Sequence, residues 1–145
     1  MTELEFNNSL MAQVQLSLAT SKIAVDKAAN EFVKSFSGFE LSETTALASV
    51  LKDSGTLIAP MEEETKNLFT EIESTETGTK FDLLYLEAQL KNHQQLRDLT
   101  EDYLNDAPAN NLDVVEVQGK HIATLVLPAF EEHINMIERL QKEFQ

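Results

Sequence analysis

The chain has 145 residues, which is enough for one domain with a real core over residues 1–145 and too little for a multidomain enzyme. Apolar residues make up 42% and charged residues 25%, and four Gly and three Pro are too few for a turn-rich sandwich or a disordered tail, so a helical protein is favoured. With 25 acids against 11 bases the formal net charge is −14, which would repel nucleic acid and anionic membrane surfaces.

No Cys is present, which removes disulfides, thiolate nucleophiles and Cys-ligated zinc or iron–sulfur sites, while the redox compartment stays open. The N-terminus Met1-Thr2-Glu3-Leu4-Glu5 is acidic, and no apolar stretch approaches the ~18 residues of a membrane span. The expectation is no signal peptide and no membrane insertion in the chain as it stands, leaving a cytosolic protein or one whose leader has been removed.

From Leu4 to Ala29, Leu4, Met11, Val14, Leu18 and Val25 recur at helical spacing and predict a first helix. Asn30 before Glu31 is an N-cap signal, and Phe32, Phe36, Phe39, Leu47, Val50 and Leu51 carry a second helix, antiparallel to the first, until Ser54-Gly55. Residues 56–78 read as a long connection with one short helix around Leu68, Phe69 and Ile72. Thr79 can cap a third long helix to Leu104, with Phe81, Tyr85, Leu86, Leu90, Leu96, Leu99 and Tyr103 as its stripe, and Asn105 to Asn111 with Pro108 ends it. The last helix reaches Phe144 through Ile122, Val126, Phe130, Ile137 and Leu140. Its start is open, because Val114, Val115 and Val117 are β-branched and Gly119 is a breaker. Pro128 inside it predicts a kink. Two helical hairpins joined by a long middle connection are the ferritin-like way of building a four-helix bundle.

Polar residues inside these stripes are few. Glu40 and Glu43 lie among the apolar residues of the second helix, Asp82, Gln89 and His93 beside Leu86 and Leu90 of the third, and His133 among Phe130, Ile137 and Leu140 of the last. His121 points away from the stripe, and the first helix offers only Asn7 and Ser21. One reading makes Glu40, Glu43, His93 and His133 ligands of a divalent transition metal (Zn, Cu, Fe or Mn), with Asp82, Gln89 and Tyr85 as supporting polar groups. The other makes them a satisfied hydrogen-bond network or residues at the stripe's edge. Register separates the two: a last helix starting near Gly119 brings His133 level with His93, and one starting near Leu112 brings it level with Asp82.

A ferritin-type dimetal centre needs Glu-x-x-His on two helices, and here residue 90 is Leu and residue 130 is Phe. No phosphate loop, nucleophile elbow, HExxH or catalytic triad is spaced along the chain, and the acidic run Glu62-Glu63-Glu64 lacks EF-hand spacing. No residue is therefore assigned as catalytic.

The segments Phe81-Asp82-Leu83-Leu84-Tyr85 to Asn92-His93 and Leu127-Pro128 to Glu132-His133, with Val33-Lys34-Ser35-Phe36, resemble a bacterial family catalogued as domain of unknown function 4142. The family is often labelled a putative outer-membrane protein and placed in the ferritin-like superfamily. The resemblance spans nearly the whole chain. Family members commonly carry Asp-His in the second helix, Asp-His in the third and a Leu-Pro-linked His in the last; the matching positions here are Glu43-Thr44, Asn92-His93 and Glu132-His133, so Thr44 replaces one of three family histidines. The resemblance implies a periplasmic or cell-envelope location. The connection after the third long helix is longer here than is usual in the family, which favours a loop through Asn111 to Gln118 and with it the register that brings His93 and His133 together. The leading expectation is a small non-enzymatic ferritin-like bundle that binds a metal, or a protein partner or second copy. A degenerate metal-dependent oxidase or hydrolase and a purely structural bundle are the alternatives.

Overall fold

A computed structural model describes residues 1–106 and 114–145, the side chains of residues 114 and 115 apart. Its secondary structure is five helices: α1 (Glu3–Lys27), α2 (Glu31–Asp53), α3 (Glu63–Ser74), α4 (Thr79–Asp106) and α5 (Val114–Lys142), with no strand among the described residues. Local chemistry sets most boundaries. Thr2 and Glu5 form a capping box at α1, and Asn30 Oδ1 accepts from Phe32 N and Val33 N at α2, each such cap being worth ~1 kcal/mol. Gly55 takes a positive φ of 90° just past the end of α2.

α1 packs antiparallel on α2, α4 antiparallel on α5, and α1 along α4, with the short α3 lying against α1 and α4. The core is in two parts. One end holds Phe6, Leu10, Met11, Leu51, Leu96 and Phe130, with the Phe6 and Tyr103 rings stacked at 4.2 Å. The other holds Val33, Phe36, Ile72, Phe81, Tyr85 and Ile137. Between the two lies a layer of buried polar side chains.

Three expectations change. The buried line of α2 is Val33, Phe36, Ser37, Glu40, Thr44, Ala48 and Leu51, whereas Phe32, Phe39 and Val50 face outward. Both lines have helical spacing, so aromatic content alone pointed to the wrong one. In α1 the inward residues are Phe6, Leu10, Met11, Val14, Ser17, Thr20, Ser21 and Ala24, with Leu4 exposed and Leu18 half-buried. Finally, α5 starts at Val114, so residues 114–118 are helical where a loop is expected. The helix runs through Pro128 without a break; Pro128 and Thr124, whose carbonyl loses its donor, are both exposed, so water can satisfy that carbonyl. Residues 107–113, where Pro108 is expected to end the third long helix, lie outside the described residues.

Candidate metal centre

The polar layer forms because small hydroxyl residues on α1 and α2 let longer polar groups from α4 and α5 enter the bundle. Ser17, Thr20 and Gln89 are fully buried, Glu40 is 2% exposed and His93 0%. A buried polar group without a partner costs several kcal/mol, so each must be satisfied. Gln89 Nε2 donates to Thr20 Oγ1 (2.7 Å), and Thr20 in turn donates to Leu16 O (2.8 Å), which fixes the amide orientation. Ser17 Oγ lies 2.7 Å from Glu40 Oε1 and 2.8 Å from Gln89 Oε1, one hydroxyl proton serving two acceptors.

The histidines meet at this layer. His93 Nδ1 lies 2.7 Å from Gln89 O, so its N–H donates to that carbonyl and Nε2 is left with a lone pair. His93 Nε2 is 3.0 Å from Glu40 Oε1, His133 Nδ1 is 3.1 Å from Glu40 Oε2, and the two ring nitrogens are 3.3 Å apart. One ligand atom from each of Glu40, His93 and His133 falls within 4.8 Å of the others, and no other such group of three occurs among the described residues. Glu40 Oε2 is buried and has no hydrogen-bond partner: His133 Nδ1 is close enough but not directed at it. His133 Nε2 is turned the other way, 2.8 Å from Oε2 of the exposed Glu43.

Electrostatics follow from this packing. Burial alone would raise the Glu40 pKa, but the imidazoles of His133 and His93 beside it outweigh that and hold the carboxyl well below the usual carboxylate range. Burial likewise works against charged His133, yet Glu40, Glu43 and Glu132 together raise its pKa above the ordinary value. The Tyr85 hydroxyl, 2.8 Å from Ser21 Oγ, is pushed up by burial and by the charge of Glu40, and stays protonated.

Of the residues singled out from sequence, Glu40, His93 and His133 come together, Glu43 stands at the rim beyond His133, and Gln89 contacts the layer through Ser17. Tyr85 bonds to Ser21. Asp82 is elsewhere: its Oδ1 accepts from Ala29 N (2.9 Å) and its Oδ2 from Asn30 N (2.8 Å), at the turn between α1 and α2. His121 is exposed. Of the two registers, the structure has the one that joins His133 to His93, although α5 starts near the position tied to the other. That pair sets the stagger of the hairpin, and Gly119, near the start of α5, is buried against the side chains of Glu3 and Tyr103.

Ser17 and Thr20 were missed by sequence reasoning. Their signal was the run Ser17, Thr20, Ser21, Ala24 at spacings of three and four, a line of small residues on one helix face. Thr44, where a family histidine is expected, is buried and donates to Glu40 O at 2.7 Å.

The arrangement defines an all-helical protein with a buried two-histidine, one-carboxylate cluster. The family model described as domain of unknown function DUF4142 matches residues 1–140, and the chain belongs to that family. Comparison with curated proteins and with solved structures gives no match. No helix among the described residues is long and apolar enough to cross a membrane.

Proposed function

We propose that the protein is a ferritin-like four-helix bundle that binds one divalent transition metal through Glu40 Oε2, His93 Nε2 and His133 Nδ1. The observation that carries this reading is the buried Glu40 Oε2, which has no hydrogen-bond partner and lies beside two ring nitrogens. Each imidazole also has a partner on its other nitrogen, Gln89 O for His93 and Glu43 for His133, the outer support that orients metal-ligating histidines. Glu43 is thus an orienting group rather than a ligand. Two nitrogens and one carboxylate suit Zn, Fe, Cu or Mn, and leave a position for water or an outside ligand. The α1–α2 and α4–α5 hairpins, joined through α3, support the bundle topology.

The role we assign is non-enzymatic, and the envelope location implied by family resemblance belongs to the same proposal. The open coordination position favours a second reading, a metal-dependent oxidase or hydrolase. Metal-dependent turnover that disappears in Glu43→Gln would promote it.

The test is elemental analysis of protein purified without affinity metal, followed by thermal melts with Zn²⁺, Cu²⁺, Fe²⁺ and Mn²⁺. Saturating metal at about a hundred times Kd should stabilise the fold by about 2.7 kcal/mol. His93→Ala should remove that gain. No bound metal and no shift with any of the four ions would overturn the reading.

A further inference from the structure

The side of α2 turned away from the bundle carries large apolar side chains in the open: Phe32 is 67% exposed, Phe39 62% and Val50 48%. From Ser35 to Val50 a single exposed residue is charged, Glu43, and it is tied to His133 at 2.8 Å. In a chain of net charge −14 this is a nearly neutral surface, along which another acidic molecule can approach. Phe32, Ser35, Phe39, Ser42, Ala46 and Ser49 follow one another at steps of three and four and are all exposed, which is the seam spacing of a coiled coil.

We infer that α2 pairs antiparallel with α2 of a second copy of this chain along that seam. Shape and charge both select this occupant. With Phe39 level with Ser42 of the second copy, the same register sets Phe32 level with Ser49 and Ser35 level with Ala46, so each ring meets a small side chain. Gly38 flanks the seam with open space where a Cβ would stand, so the second helix can close in. Glu31 then falls beside Lys52 of the second copy, and by symmetry the match occurs twice. The two Glu43 side chains stay about 7 Å out of level, so they do not oppose each other. A parallel pair would stack like residue on like and lose the Glu31–Lys52 match. A basic partner protein would find only Glu43 to bind between Ser35 and Val50. The pairing does not rest on the metal reading.

Sedimentation of the whole chain from about 1 µM to about 0.2 mM, with and without chelator, tests the inference. Reversible dimerisation with a midpoint of about 10–100 µM is expected in both, since one helix face is smaller than a standard interface. Phe39→Glu should weaken it about a hundredfold or more, while thermal melts show the fold intact at this exposed position. Glu31→Lys should weaken it about fivefold at low salt, and Glu31→Lys with Lys52→Glu should restore it, a recovery that unfolding cannot imitate. The chain has no cysteine, so Ser35→Cys protein mixed with Ala46→Cys protein should oxidise mainly to the mixed disulfide. A single-chain mass up to about 0.2 mM would overturn the inference and leave the face to a different protein. Dimerisation unchanged by Phe39→Glu, no recovery in the charge swap, or disulfides between like variants in preference to the mixed one would each overturn it as well.

Discussion

Two buried carboxylates stand on the inward faces of this fold, Asp82 against the turn between α1 and α2, and Glu40 at the middle of the bundle, and they are satisfied in opposite ways. Asp82 takes two backbone amides, one on each oxygen, from Ala29 and Asn30. Backbone donors cannot turn away, so this carboxylate has a single fixed role, holding the entry to α2 on the first turn of α4. Glu40 is bordered by side chains, Ser17 on one oxygen and the two histidines, and one of its oxygens has no hydrogen bond. Side-chain partners can be rearranged by an incoming ion, and an oxygen without a bond has something to gain from one. A satisfied carboxylate marks architecture; an unsatisfied one with two imidazole rings beside it is a candidate for a site.

The largest effect should come from the architectural member. Asp82→Ala leaves two amides without their charged acceptor and should cost about 3 kcal/mol of stability in denaturant melts, with metal affinity per folded molecule unchanged. A loss of metal binding beyond the loss of folded protein would break the comparison. Glu40→Gln should reverse the pattern. The amide keeps the shape and the Ser17 contact but removes the charge, so metal affinity should fall by about a hundredfold, while metal-free stability changes by about 1 kcal/mol or less.

Glu43→Gln sharpens the comparison at the rim. Glu43 contacts the outer nitrogen of His133 only, at 2.8 Å, and is itself exposed. Loss of an outer-shell partner typically lowers metal affinity about tenfold to a hundredfold, and exposure favours the lower end here. Isothermal titration with the metal identified by elemental analysis measures this. An effect as large as that of Glu40→Gln would make Glu43 a ligand.

The sequence carried the helices well, because caps at Asn30 and breaks at Gly55 are local chemistry that needs no tertiary context. Faces were less legible. In α2 the exposed Phe32 and Phe39 compete with Val33 and Phe36 at the same period, and only packing against α1 decides between them. Glu40, His93 and His133 could be selected as polar residues in apolar stripes, but their meeting depends on the stagger of α4 and α5, which no local pattern encodes. Ser17 and Thr20 escaped because hydroxyls on a helix read as surface residues unless the groups they serve, Glu40 and Gln89, are already known to be inside.

The pH dependence of the chelated protein should show the smallest effect, and its sign follows from the same cluster. Glu40 has a pKa depressed by folding, so its contribution to stability is present above the unfolded carboxylate value of about 4.3 and is lost as the pH falls from there toward the folded pKa. His133 has a raised pKa, so its contribution is full below the unfolded value of about 6.5 and is lost as the pH rises through the folded one. Metal-free stability from this layer should therefore be greatest between those two limits and decline on both sides. Denaturant melts from acid to alkaline pH would follow it, and His133→Gln should flatten the alkaline limb. With metal bound the alkaline decline should disappear, because the ion requires the histidine nitrogen without its proton and binds better as that proton becomes easier to remove. An alkaline limb that survives both the metal and His133→Gln would move the titrating group away from Glu40 and the histidines, and with it the distinction drawn between the two carboxylates.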